Sequence, residues 1–361
     1  MRPEPRTAPA DASREVKELL VEAFRRAVRD GRSDVGTEHL LFVLLDGESP
    51  AKDLLAPRVR DSGSLMGMIT AKGAEHWLGE DRSDESPGGD AAAALLREAA
   101  WTAIGDEAPP RPTGALTAAL AQALARAGEL GVSRANPSHL LMGLLHDRGN
   151  RACEALLERR MDRDDLIARL AVHPSARQDG TRQPAALDAL RNMGMLTERG
   201  RYWGRVARAL SGGGFGSPVV PTVRLEAERQ AVRRGHSEVT PVHLLLGMLV
   251  LDDQLTEAGL RLRPEWARTN QAAELLRERG ITLAALVDAL PEPDTAVPFR
   301  PTMQEETRRL LTGARLRCHE LKDPSTGTGH LLAVLVAEPG CGSLLTSLGV
   351  DTEELRQALG H

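Results

Sequence analysis

Four stretches of this chain follow one pattern, and a chain that repeats itself folds as copies of one unit. They are Thr37-Glu-His-Leu-Leu-Phe-Val-Leu-Leu45, Pro137-Ser-His-Leu-Leu-Met-Gly-Leu-Leu145, Pro241-Val-His-Leu-Leu-Leu-Gly-Met-Leu249 and Thr328-Gly-His-Leu-Leu-Ala-Val-Leu-Val336. Aligned on His39, His139, His243 and His330, they stand 100, 104 and 87 residues apart. Each looks like a helix start. In copies two and three, Asn136 or Thr240 precedes a proline. That is an N-cap followed by Pro at the first helical position, where the missing amide would be unpaired in any case. The histidine then falls on the third helical residue. Copies one and four offer Gly36-Thr37 and Gly327-Thr328 at the same place. Apolar residues at 40, 41, 44 and 45 make a wide buried stripe on a short helix.

The flanks repeat as well. An amphipathic helix is expected before each anchor, over 14–29, 116–130, 223–234 and 303–319. Gly31, Gly131 and Gly235 stand where C-caps do. After each anchor come a small-residue helix and a short one. Copy four is the clearest, with 342–351 and then 352–359, capped by Asp351 or Thr352, with Glu353 and Glu354 in the first turn. Copy two matches at 152–160 and 162–170, and copy three at 272–279 and 281–290. Each copy is therefore about four helices, and the expected fold class is all-α. Aromatics are only 2% of the chain, so its cores are built from Leu, Ala, Val and Met, which favours helices.

Composition narrows the function classes. With 361 residues, two or three domains are expected. No apolar run approaches the ~20 residues that span a bilayer, and residues 1–13 hold no apolar signal segment. Cys153, Cys318 and Cys341 are scattered and odd in number, which excludes a disulfide framework and any CxxC zinc site. A reducing cytoplasm is the expected location. The net charge of −5 argues against a nucleic-acid partner. Only four of the 46 basic residues are lysines, a bias that a GC-rich gene explains more simply than anion recognition.

Gly31-Arg-Ser-Asp-Val-Gly-Thr-Glu-His-Leu-Leu41 resembles, nearly residue for residue, the hallmark of the N-terminal domain of the Clp/Hsp100 unfoldases, the Clp-N repeat. The likeness is greatest to the actinobacterial Clp C type. Val297-Pro-Phe-Arg-Pro301 is similar to that family's second-repeat opening, and 340–359 to its closing helices. The resemblance implies two tandem Clp-N domains, each of two four-helix repeats about a pseudo-two-fold. They would cover 12–175 and 215–361, after a disordered tail at 1–11 and joined by a linker at 176–214 with a helix near 185–196. A polar loop at 79–90, an apolar stretch at 91–104 and an insertion at 256–269 depart from the pattern and read as surface elaborations. No Gly-x-x-x-x-Gly-Lys-(Ser/Thr) phosphate cradle occurs, so a Clp-N protein without its motor is expected.

Candidate chemistry is sparse. The four histidines read as structural. No His-x-x-x-His places two on one helix face for zinc, and no Gly-x-Ser-x-Gly elbow or papain-like cysteine signature is present. Cys153 and Cys341 read as buried thiols. No enzyme activity and no cofactor are expected. The resemblance implies that Thr37 and Glu38 belong to a pocket for phosphorylated arginine, the carboxylate pairing with guanidinium and helix-start amides holding phosphate. The other copies carry Ser138, Val242 and Gly329 in place of the glutamate. The plain alternative is a surface carboxylate favoured by the helix dipole. The resemblance also implies an apolar groove at the repeat openings that accepts adaptor segments and cyclic-peptide antibiotics. Its lining would be Phe299 and Arg300, with Val219 and Val220 from the copy-three opening Ser217-Pro-Val-Val-Pro221. The alternative for Phe299 is a core plug. Arg199, Arg201, Arg205 and Arg208, with Tyr202 and Trp203, form a basic aromatic patch best read as a solvated helix face. The expected function is non-enzymatic: binding peptide segments, adaptor proteins or cyclic peptides, and modulating or competing with a Clp C-type protease. The alternative is an ATP-independent chaperone-like or regulatory protein acting away from Clp.

Overall fold

The computed structural model describes residues 10–57, 59–74, 76–79, 81, 89–104, 108–181, 185–197, 218–294 and 300–360. The fold is all-α, with six two-residue strands among the described residues. The chain divides into two compact units, Met1–Arg182 and Gln183–His361.

The first unit runs β1 (Asp11–Ala12), α1 (Arg14–Arg29), β2 (Asp34–Val35), α2 (Thr37–Asp46), α3 (Pro50–Leu55), α4 (Val59–Lys72), α5 (Gly89–Ala103), β3 (Arg111–Pro112), α6 (Gly114–Glu129), β4 (Arg134–Ala135), α7 (Pro137–Leu144), α8 (Arg151–Glu158) and α9 (Arg163–Val172), then a 3-10 turn at Pro174–Arg177. The two copies exchange strands reciprocally. β1, before the first helix of copy one, pairs in parallel with β4, before the histidine helix of copy two. β2, before the histidine helix of copy one, pairs with β3, before the first helix of copy two. Each strand is too short to persist alone, so each is pinned by the helix caps beside it. Ser13 Oγ accepts from Val16 N at 3.3 Å and Thr113 Oγ1 from Leu116 N at 3.2 Å.

The second unit runs α10 (Ala185–Asn192), α11 (Val219–Arg234), β5 (Glu238–Val239), α12 (Pro241–Glu257), α13 (Pro264–Ala267), α14 (Ala272–Glu278), α15 (Leu283–Asp288), β6 (Thr302–Met303), α16 (Glu305–Glu320), α17 (Thr328–Ala337), α18 (Pro339–Ser347) and α19 (Thr352–Ala358). β5 pairs in parallel with β6, as β2 does with β3. Gly31, Gly131 and Gly235 adopt φ of 66°, 74° and 74°, the left-handed C-cap expected of them. In copy four Lys322 takes that position at φ 55°.

The histidine helices are the core of both units. Leu40, Leu41, Leu44 and Leu45 are 0–1% exposed, and Leu244, Leu245, Leu331 and Leu332 are fully buried. In copies two and three a glycine lets the paired helices touch at the backbone. A Cβ on Gly143 would lie 2.0 Å from Ala119 O, and one on Gly247 would lie 2.6 Å from Val223 O. Copies one and four carry Val43 and Val334 there.

One of the stretches read as surface elaborations, 91–104, is interior, and the other two each place a buried residue. α5 packs against both α1 and α6, burying Ala92, Leu95, Leu96 and Ala99. Asp81, within the polar loop, is 2% exposed. The 256–269 insertion buries Leu260, and its Leu262 bridges antiparallel to Leu196. The segment expected as linker also contributes to both units. Ala176 is buried in the first, while Leu187 and Leu190 of α10 join the core of the second. α11 begins four residues earlier than its pattern suggested, at Val219. No single helix among the described residues is long and apolar enough to cross a membrane.

Candidate functional site

The four histidines are caps. The Nδ1 atoms of His39, His139, His243 and His330 accept the N-cap amides of Gly36, Asn136, Thr240 and Gly327 at 3.0–3.1 Å. This is the reciprocal half of a capping box, with imidazole where Glu or Gln is usual. An Nδ1 that accepts leaves the proton on Nε2. His139 Nε2 therefore donates to Ala176 O at 3.1 Å and His330 Nε2 to Asp323 Oδ2 at 2.9 Å. His243 Nε2 donates to His236 Nδ1 at 2.8 Å, and His236 Nε2 passes the chain on to Pro291 O at 3.1 Å. Burial, reinforced by Arg32, holds His39 down at about 4. Burial and His236 hold His243 at about 3. His139, His243 and His330 are thus engaged on both ring nitrogens, as parts of the scaffold.

Around the first of these helix starts lies a buried ionic network. Asp81 Oδ2 accepts Thr37 N at 2.9 Å and Thr113 Oγ1 at 2.6 Å, while its Oδ1 accepts Thr37 Oγ1 at 2.7 Å and Arg151 N at 3.2 Å. One carboxylate thus serves the starts of both α2 and α8, from a residue held at φ 53°. A non-glycine backbone in that region is strained and persists only when its surroundings over-determine it. Thr37 Oγ1 in turn accepts Ala152 N at 3.1 Å. Arg151 Nη1 donates to both Glu38 Oε1 and Asp34 Oδ2 at 2.9 Å. Arg32 Nη2 reaches Asp34 Oδ1 at 2.7 Å and stands 3.6 Å from Glu38 Oε1. Burial pushes the Glu38 carboxyl up to about 7, against the pull of Arg151. Burial also works upward on Asp34, but hydrogen bonds from Arg151 and Arg32 hold it below its ordinary value. Glu38 Oε2 is buried without a partner.

Glu38 is thus neither of the two things its sequence suggested. At 2% exposure it is not a surface carboxylate. Nor is its carboxylate open to a ligand's guanidinium, because Arg151 supplies one from within the chain and Asp81 takes the amide and hydroxyls that a phosphate would use. Copies two and four are closed in the same manner. Ser138 Oγ meets Ser175 Oγ at 2.7 Å, and Thr328 N donates to Asn270 Oδ1 at 2.9 Å.

Sequence reasoning missed Asp81 and Arg151. One signal was available for the first: Asp81 stands 100 residues before Thr181, the same period as His39 and His139. The two occupy equivalent places, their carbonyls accepting Ala115 N and Arg14 N at the first helices of copies two and one. Two residues expected to line the groove are interior. Val219 and Val220 are 2% and 7% exposed and belong to the core of the second unit, because α11 starts at Val219 and turns that face inward. Arg300 is exposed next to β6. Phe299 lies outside the described residues, as do Arg199, Arg201, Tyr202, Trp203, Arg205 and Arg208. Cys153 and Cys341 are buried, and burial pushes their thiols up to about 11 and about 12. Among the described residues no group of three or more His, Cys, Asp or Glu is arranged to hold a metal.

No protein-family model matches the chain. Two curated relatives do. The chaperone protein ClpB of Propionibacterium freudenreichii subsp. shermanii is 29% identical over 134 residues, 37% of this chain. The chaperone protein ClpB of Mycobacterium leprae is 28% identical over 147 residues, 38% of this chain. The matched stretches span 14% and 16% of those proteins' own lengths. Over 37% of its length the chain is therefore distantly similar to a chaperone protein ClpB.

Proposed function

We propose that this chain is a non-enzymatic, polypeptide-binding protein of the Clp-N type, which modulates or competes with a Clp unfoldase for adaptors, substrates or cyclic peptides. The observation that carries the reading is the Gly31–Leu41 motif standing in copies that exchange β1–β4 and β2–β3 reciprocally. Distant similarity to ClpB chaperones supports the same class. In this reading the start of α2 is a joint between copies rather than the ligand's entry, since the chain's own Arg151 and Asp81 fill it. Adaptor or cyclic-peptide capture falls instead to the 297–301 opening with Phe299 and Arg300.

The test is a reconstituted Clp C unfoldase–protease degrading casein with ATP, titrated with the purified full chain. A concentration-dependent change in degradation rate is expected, with no stoichiometric ATP binding by the chain in calorimetry. An unchanged rate at tenfold excess overturns the proposal. The ClpB relatives favour a second reading, ATP-independent holding of unfolded segments away from any Clp motor. It is read out as suppressed aggregation of a heated client protein in the absence of Clp.

A further inference from the structure

The closing helices of the first unit leave a cleft of about 410 Å³ between α3 and α4 of copy one and α9 of copy two. That is within the size range of ligand pockets. It is built neither from the histidine helix starts nor from the repeat openings. Its floor is Leu55, Leu65 and Leu166, each 2% exposed, and Leu54, Pro57 and Met161 add apolar surface that water reaches.

The charges around it are not equivalent. Two arginines cross the seam between the copies: Arg159 Nη2 donates to Ser64 O at 2.6 Å and Arg169 Nη2 to Leu54 O at 2.8 Å. Each guanidinium is thus anchored on a main-chain carbonyl of copy one and keeps its charge. Asp162 is committed too, capping α9 through Asp164 N and Asp165 N. Asp61 and Asp165 are exposed on the rim, Asp165 lying 3.5 Å from Arg169. Three carboxylates against two engaged guanidiniums leave the mouth net negative over an apolar floor. Such a site favours an apolar side chain with a cation beside it and disfavours an acidic segment, which the rim repels.

We propose that this cleft binds a polypeptide segment in which an apolar side chain is flanked by lysine or arginine. The apolar group covers the leucine floor, and the flanking cations meet Asp61 and Asp165. The proposal rests on the reading of the chain as a polypeptide binder, and it adds to the 297–301 opening a second site with its own sequence preference. The probes are three fluorescein-labelled hexapeptides: Lys-Lys-Leu-Phe-Lys-Lys, its acidic counterpart Glu-Glu-Leu-Phe-Glu-Glu, and the charge-only Lys-Lys-Ser-Gly-Lys-Lys. Each is titrated with the full chain and followed by anisotropy. The first is expected to bind at least tenfold more tightly than the other two. Asp61→Lys and Asp165→Asn, both at exposed positions, are each expected to weaken it, and together by tenfold or more, with melting temperature unchanged. Met161→Trp, which fills the cleft, is expected to compete with the peptide. Equal affinity in wild type and the charge variants overturns the proposal, as does equal binding of the acidic or charge-only peptide. If the peptide result is negative while the chain still alters Clp-dependent degradation, the cleft alone is refuted. If both are negative, the parent reading falls with it.

Discussion

Arg151→Met removes the guanidinium that spans Glu38 and Asp34, yet leaves in place the residue-151 amide that Asp81 accepts. The Glu38 carboxylate, 2% exposed, then keeps only Arg32 at 3.6 Å for compensation. Breaking a buried pair in this way costs about 3–5 kcal/mol. In a unit of this size that is about 6–20 °C in Tm. The cost depends on pH, with a definite sign. Glu38 titrates at about 7 in the fold and at 4.5 ordinarily. Between those values the folded chain keeps a proton that the unfolded chain has released. Stability from this group is therefore full below 4.5 and lost as pH rises through 7, about 3 kcal/mol for a shift of this size. Removing Arg151, the strongest group opposing the shift, enlarges it, so Arg151→Met is far more destabilising at pH 8 than at pH 5. Glu38→Gln keeps an acceptor for Arg151 and abolishes the titration. It is expected to stabilise by about 1–3 kcal/mol at pH 8 and to be neutral at pH 5. Combined with Arg151→Met, it is expected to recover at least half of the loss. Scanning calorimetry at the two pH values reads this out, the first-unit transition being assigned by hydrogen exchange of α2 and α8. An Arg151→Met loss equal at both pH values, or below about 1 kcal/mol, refutes the buried-pair account.

Other outcomes follow from the same geometry. Gly143→Ala and Gly247→Ala drive a Cβ into Ala119 O and Val223 O, and are each expected to cost about 1–3 kcal/mol or more in urea unfolding. Gly63→Ala, in α4 with nothing within 4 Å, is expected to stabilise by about 0.5–1 kcal/mol. His39 and His243 titrate at about 4 and about 3 against an ordinary 6.5, so their contribution is full above 6.5 and lost as pH falls below it. His243→Gln keeps a capping acceptor without titrating, and should shrink the fall in urea midpoint between pH 7 and pH 4. Cys153 and Cys341, with thiols near 11 and 12, are expected to stay unlabelled by a thiol reagent at pH 8 in the folded chain and to react fully once it is unfolded in urea.

The sequence by itself determined what is decided within a few residues. Asn136-Pro and Thr240-Pro mark helix starts and put a histidine three residues past each N-cap. Gly31, Gly131 and Gly235 supply the left-handed turn that ends the preceding helix. Leu-Leu pairs four residues apart define one buried face. Repeated four times, these local rules were enough for the all-α class. Only the tertiary structure decided the partners. Thr37 meets Asp81 across 44 residues, and Glu38 meets Arg151 across 113. The 100-residue period marks the place of Asp81 but not its partner, because the pairing depends on how one copy docks on the other. The same docking sets the fate of apolar stretches whose own pattern is ambiguous. α5 is a core helix because α1 and α6 stand on either side of it, and Val219 and Val220 are interior because α11 begins one turn early. A carboxylate at a helix start looks identical in sequence whether it faces water or another chain segment. Here burial beside Arg151 makes Glu38 a joint between copies, and that depends on the packing rather than on the motif.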